Sequence, residues 1–335
     1  MAKWKECAIS DIGIVVGGAT PSTKKPENYE GGTIPWITPK DLSTFSGRYI
    51  CCGERNITEA GLKSCSAQMI PSHSVLFSSR APIGYIAIAQ NAVCTNQGFK
   101  SVVPKEGTDY LFLYYLLKYN KGKIEHMGSG TTFKEVSGNT MKNIRVNVPI
   151  DVEDQRKIAI VLDRIDSKIE QNTNINKNLL QQAQSIFAQE FLVLDAIPDG
   201  WQESSLLGIA DYLNGLAMQK YRPRDDEQGL PVLKIKELRQ GSCDANSELC
   251  SSSIKPEYIV HDGDVIFSWS GSLLVDFWCG GTCGLNQHLF KVTSSVYDKW
   301  FYYAWTSHHL QKFAAIAADM ATTMGHIKRE ELAKA

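Results

Sequence analysis

The residues best placed to do chemistry in this chain are basic and polar side chains gathered in turn-rich loops. Lys24 and Lys25 stand beside Thr20, Ser22 and Thr23. Lys40 follows Thr38-Pro39, Arg80 ends the run Val75-Leu76-Phe77-Ser78-Ser79, and Thr131, Thr132 and Lys134 follow Gly128-Ser129-Gly130. A second group comes later: Lys220, Arg222 and Arg224, then Lys234, Lys236 and Arg239, then Trp269, His326 and Lys328. Lysine and arginine bind phosphates, arginine also pairs with guanine, and asparagine or glutamine can contact adenine at two points. The chemistry on offer is recognition, and DNA is a fitting ligand. Taken singly, each of these residues reads first as a solvated surface position, so only the grouping carries weight. Asn96-Gln97 and Asn286-Gln287 read differently, as repeated polar pairs that cap or bridge backbone between strands.

Bond-breaking signatures are missing from the sequence. It holds no Gly-x-x-x-x-Gly-Lys-Ser/Thr phosphate loop, no His-Glu-x-x-His zinc helix and no Gly-x-Ser-x-Gly nucleophile elbow. Gly128-Ser129-Gly130-Thr131-Thr132 lacks the strand before it and the helix after it that a dinucleotide turn needs. The seven histidines are scattered, and His308-His309 falls in a helical run as a solvated face. The nine cysteines include Cys51-Cys52, Cys243 with Cys250, and Cys279 with Cys283, but no Cys-x-x-Cys. Buried free thiols fit this spacing better than zinc. The odd number also argues against a complete set of disulfides.

The elements that must carry these loops repeat. Val75-Leu76-Phe77-Ser78 returns as Val265-Ile266-Phe267-Ser268, and Asn96-Gln97 as Asn286-Gln287, both 190 residues later. Pro35-Trp36-Ile37-Thr38-Pro39-Lys40-Asp41-Leu42 returns as Pro231-Val232-Leu233-Lys234-Ile235-Lys236-Glu237-Leu238, 196 later, and Thr131-Thr132 as Thr322-Thr323, 191 later. Four matches in one order, with small drifts, indicate tandem duplication of a domain with loop insertions. Each copy reads as mixed α/β, with short strand runs such as Tyr85-Ile86-Ala87-Ile88 separated by turn formers, then a helical run.

Between the copies, residues 151–194 contain no glycine and no proline. Ile158, Ile165, Asn172, Leu179 and Ile186 recur every seven residues, flanked by Leu162, Ile169, Val161, Ile175 and Ala183. This is the stripe of a long amphipathic helix, about 65 Å if unbroken. Asp151, Glu153 and Asp154 favour the positive end of its dipole. The stripe needs a second helix beside it, and Asn172 on it could fix register. The alternative is a short break around 172–178. The expected architecture is therefore α/β (α+β): residues 1–150 as one domain, 151–196 as a coiled-coil-type spacer, and 197–335 as a second, similar domain.

With 335 residues, 43% hydrophobic and 21% charged, the chain is long enough for two cores. It has no apolar run long enough to span a bilayer, and no apolar stretch follows its basic start, so neither a membrane nor secretion is indicated. A cytoplasmic location with reduced thiols is the expectation. Net charge is −1, with a basic surplus of six in residues 1–150 and acidic surpluses of three and four in 151–195 and 196–335. Only the first domain is basic as a whole, although a local patch still binds phosphates.

The ordered set of motifs resembles the specificity (S) subunit of type I restriction-modification systems. The stretches that carry the likeness are Trp36-Ile37-Thr38-Pro39-Lys40-Asp41-Leu42, Val75 to Gly84, Thr95-Asn96-Gln97-Gly98-Phe99 and Gly128 to Lys134. Val148-Pro149-Ile150, followed by Gln155-Arg156-Lys157-Ile158, looks like the start of that family's central helix, and Ile197-Pro198-Asp199-Gly200-Trp201 like the start of a second target-recognition domain. The resemblance implies a non-catalytic subunit that reads a bipartite site in double-stranded DNA, one half per domain. It implies helices that act as a ruler and dock two modification subunits for adenine methylation, with restriction subunits joining the complex. Ile158, Leu162, Ile165, Ile169, Leu179 and Ile186 would form the partner-helix interface. The chain itself would hold no cofactor; S-adenosylmethionine, ATP and Mg would belong to partner subunits. In that family a distal helix pairs with the central one, and its expected start lies near position 339. The stripe is then expected either in a truncated form or in self-association between two copies. The rival readings are a stand-alone bipartite DNA-binding or regulatory protein and, more remotely, a methyltransferase or nuclease in its own right.

Overall fold

The computed structural model describes residues 2–129, 134–194, 196–319, 327 and 329–335, without the side chains of 317–319. Its internal contacts divide the chain into two units, Met1–Asn176 and Lys177–Ala335.

The first unit is built on a five-stranded sheet in the order Gly13–Gly17, Lys100–Pro104, Val75–Ser79, Ile83–Ala89, Tyr49–Ile50. All pairings are antiparallel except the last. Val75–Ser79 is buried at every position, as its unbroken apolar start requires of a central strand with both faces covered. One face packs Val75, Phe77 and Ile88 against the helix Tyr110–Tyr119; the other packs Leu76, Ala87 and Ala89 against Ile37, Leu42 and Ile70. The helix starts at Asp109, whose carboxylate accepts the Phe112 N–H at 2.8 Å. A three-stranded sheet, Arg55–Ile57, Ile34–Ile37 and Cys94–Thr95, stands beside it, and Trp4–Ala8 pairs with Arg145–Pro149.

The second unit repeats this plan. One sheet runs Asp211–Asn214, Leu289–Thr293, Val265–Ser268, Leu274–Phe277; the other runs Leu249–Cys250, Leu230–Leu233, Cys283–Leu285, Ile259–Val260. The repeat holds at the level of register. Val75 faces Val102 and Val265 faces Val292; Ile37 lies parallel to Thr95 and Leu233 to Leu285. Those pairings reproduce the offsets of 190 and 196 found in the sequence. The Ile9 N–H donates to Ile144 O, and the Leu206 N–H donates to Ala335 O, each at 3.0 Å. One difference is a missing edge: the second unit has no counterpart of the strand Tyr49–Ile50 among its described residues.

Val152–Phe187 forms one α-helix of 36 residues, about 54 Å long, followed by a π-helical turn over Ala188–Leu192. It is continuous through 172–178, so the asparagines there interrupt the stripe without breaking the helix. It also ends short of 194, where Phe187 and Phe191 turn into an aromatic cluster. Gln155 and Ala159 are buried against the first unit, and Ile158 packs on its core. The rest of the stripe is exposed: Leu162 at 36%, Ile165 at 52%, Ile169 at 58%, Leu179 at 57% and Ile186 at 62%. No described helix is long and apolar enough to cross a membrane.

Candidate nucleic-acid interface

The loops singled out in the first unit meet where several strands end. The Ala19 N–H donates to Thr95 O, the Asn96 N–H to Ile37 O, the Ser79 N–H to Gly98 O and the Val136 N–H to Ser79 O, all between 2.7 and 3.0 Å. These bonds place Thr20, Pro39, Arg80, Gln97 and Glu135 in one loop cluster. Thr20 Oγ1 donates to Gln97 Oε1. The second unit builds the same cluster: Leu216 N–H to Leu285 O, Asn286 N–H to Leu233 O, and Ile327 N–H to Trp269 O.

Two devices hold each cluster in shape. Asn96 Oδ1 accepts the Gly98 N–H at 2.9 Å, and Asn286 Oδ1 accepts the His288 N–H at 3.2 Å. The asparagines are therefore turn-formers, which leaves Gln97 exposed and Gln287 half-buried at equivalent tips. The Ser78 hydroxyl donates to Pro82 O at 2.8 Å and the Ser268 hydroxyl to Ser272 O at 2.9 Å, across turns whose fourth residues, Ala81 and Gly271, have φ of 53° and 64°.

On that common frame the two units present different chemistry. Arg80 is half-exposed and 3.5 Å from Glu135, which also meets Lys100 at 3.4 Å. Its counterpart is Ser270, whose hydroxyl lies 3.1 Å from His288 Nδ1, where the first unit has Gly98. Trp269 is the counterpart of buried Ser79; its indole N–H donates to Asn214 Oδ1 at 3.0 Å, and its ring leans on His288 and Phe290. Sequence reasoning does not single out Gln97, Gln287, Ser270 or His288 for direct contact. Their signal is position: next to the repeated asparagine, or at the repeated strand end.

The cations sort by pairing. Lys40 is tied to Glu54 at 2.7 Å, which raises the lysine and lowers the carboxyl from their ordinary values. Arg222 and Lys234 share Glu248, which their bonds and charges hold below the usual carboxylate range. Lys236 pairs with Asp244 at 3.4 Å. Glu227, pushed down to about 2 by the Ser252 and Ser251 hydroxyls, fastens the loop that carries Arg222 and Arg224. Lys24, Lys25, Lys134, Lys220, Arg224 and Arg239 are exposed and make no ion pair among the described residues. Thr131, Thr132, His326 and Lys328 lie outside the described residues. Among the described residues, no group of three or more His, Cys, Asp or Glu is placed to hold a metal ion.

Residues 1–181 match the family model of the type I restriction modification DNA specificity domain. The chain belongs to that family. It is 38% identical over 291 residues to the type I restriction enzyme MjaIX specificity subunit of Methanocaldococcus jannaschii, covering 81% of this chain and 67% of that one. It is 29% identical over 171 residues to the EcoR124I/EcoR124II specificity subunit of Escherichia coli, covering 49% of this chain and 41% of the relative. The chain thus spans two thirds of the first relative and under half of the second. The crystal structure of a type I restriction-modification S subunit from M. genitalium has the same fold, with a TM-score of 0.55 at 14% identity over 97% of this chain and 84% of that one. The α/β specificity-subunit fold expected from the motifs is the fold observed, long central helix included.

Proposed function

We propose that this member of the specificity family is the non-catalytic DNA-reading subunit of a type I restriction-modification complex, and that its two units each read one half of a split site. The observation that carries this reading is the pair of loop clusters. They share backbone hydrogen bonds and register, yet one displays Arg80 with Gln97 and the other Ser270, Gln287 and His288. A fixed frame with exchanged polar tips is how one scaffold reads two sequences. The exposed Lys24, Lys25, Lys134, Lys220, Arg224 and Arg239 supply phosphate contacts. Arg80 and Trp269 serve as the reading tips, and Thr131, Thr132, His326 and Lys328, which lie outside the described residues, are further candidates for contact. Lys40, Arg222, Lys234 and Lys236 reach DNA only by exchanging a carboxylate for a phosphate. Functionally, residues 1–150 and 197–335 read, and 151–196 space and dock. The exposed Leu162, Ile165, Ile169, Leu179 and Ile186 receive helices of modification subunits or of a second copy; those subunits bring S-adenosylmethionine, and restriction subunits bring ATP and Mg.

The test is methylome sequencing of cells that supply the modification subunit and this chain, with residues 1–150 exchanged for those of another family member. One half of the methylated motif should change and the other stay. A change in both halves, or no methylation with the unaltered chain, refutes the reading.

A further inference from the structure

The first unit grips the spacer helix through a polar contact that the reading loops do not use. Arg48 precedes the edge strand Tyr49–Ile50, and its side chain is only 15% exposed. One terminal nitrogen lies 3.2 Å from an Asp163 carboxylate oxygen and donates to Asp163 O at 3.1 Å. The other donates to Ser167 Oγ at 2.8 Å and lies 3.8 Å from Glu170. Three residues on one face of the helix, at i, i+4 and i+7, thus converge on one cation more than a hundred residues away in sequence. Lys118 meets Asp166 at 2.9 Å on the same face. Charge-assisted bonds from a planar fork are directional, so they fix an angle as well as a distance. The second unit lacks, among its described residues, the edge strand that brings Arg48 into place.

We infer that Arg48 is a positioning residue that sets the angle of the first reading domain on the spacer helix, and thereby the number of base pairs between the two half-sites. Among the described residues the hydrogen bonds and ion pairs of its side chain go to the helix and none to a reading loop, so it acts through the helix. The inference rests on the reading above that the two units read two half-sites. From Ser167 to Phe187 the helix rises about 30 Å, so a tilt of roughly 6° at the clamp swings its far end sideways by about 3 Å, and the part of that swing directed along the DNA alters the gap by up to about one base-pair step. A bond set that holds the helix within a few degrees therefore holds the gap to one value.

The experiment is methylome sequencing of cells carrying the modification subunit with the full chain, Arg48→Met, or the helix-side pair Asp163→Asn with Glu170→Gln. The unaltered chain should methylate one motif with one gap length. Both variants should keep the bases of each half-site and add motifs whose gap differs by at least one base pair. Should Arg48→Met not fold, as judged by its far-ultraviolet circular dichroism, the helix-side pair decides alone, because it leaves the reading domain untouched. A single unaltered gap, a changed base in either half-site, or loss of methylation from the folded helix-side pair overturns the inference. Absence of methylation with the unaltered chain refutes the reading of the two half-sites instead.

Discussion

The two ends of the long helix are fastened by opposite chemistries. Near its start, Gln155 is buried and makes three bonds: Oε1 accepts the Asp109 N–H at 3.0 Å, and Nε2 donates to Pro149 O at 3.1 Å and Gly107 O at 3.3 Å. Arg156 lies near Asp109, and Arg48 and Lys118 hold the next two turns. At its close, Phe187 packs edge-on against Trp305 at 5.1 Å and stacks on Phe191 at 5.2 Å. Phe191 in turn meets Trp201, Phe301 and Trp300 within 6.1 Å. Apolar burial is non-directional and strong, whereas charged and amide bonds are modest in net energy and strict in geometry. The aromatic end supplies stability; the polar end supplies orientation.

Three measurements bear on that contrast. Phe187→Ala removes a ring that is 8% exposed, and should cost the second unit about 3–5 kcal/mol in denaturant unfolding. A loss below about 1 kcal/mol would show that the aromatic cluster does not hold this end. Gln155→Leu keeps the volume but leaves the buried Pro149 carbonyl and the part-buried Asp109 N–H without their partner, costing the first unit roughly 1–3 kcal/mol. Neutral behaviour there would mean that water replaces the amide and that the polar end is soft. The smallest effect is a pH dependence. His309, beside Trp305, is held below its ordinary value by burial first and then by repulsion from His308 and Lys312. The unfolded chain therefore binds the proton more readily, so stability rises with pH through the window just below the ordinary histidine value of 6.5. Melting of the second unit should weaken slightly as pH falls from about 7 toward about 5.5, and His309→Gln should flatten that slope. An unchanged slope in the variant removes His309 as the cause.

How much of this is legible in the sequence follows from what each feature looks like in one dimension. The duplication is readable to the register, because Val75 with Val265 and Asn96 with Asn286 keep both type and offset. The stripe of the helix is readable because apolar residues at heptad spacing, with no glycine or proline between them, suit little besides a helix. The grip on the helix is not, because Asp163, Ser167 and Glu170 look like an ordinary solvated face, and Arg48 is a lone cation in an unremarkable loop. Their i, i+4, i+7 spacing opposite the stripe is the available clue. Ile158 belongs to the stripe by period yet turns partly inward onto the first core, since the helix start is pressed against it by Gln155 and Ala159. Gln97 and Gln287 read together with their asparagines in the sequence, and only the folded chain separates the residue that makes the turn from the one at its tip.

The serine latch across the turns that follow Ser78 and Ser268 has a consequence for ancestry. Ser78 and Ser268 close equivalent loops through their own hydroxyls and a backbone carbonyl, so closure depends on neither Arg80 nor Ser270. The side chains of Arg80 and Ser270 are then free to change without opening the turn. After a duplication, each copy could then change its tip residues separately, without loss of the turn that carries them.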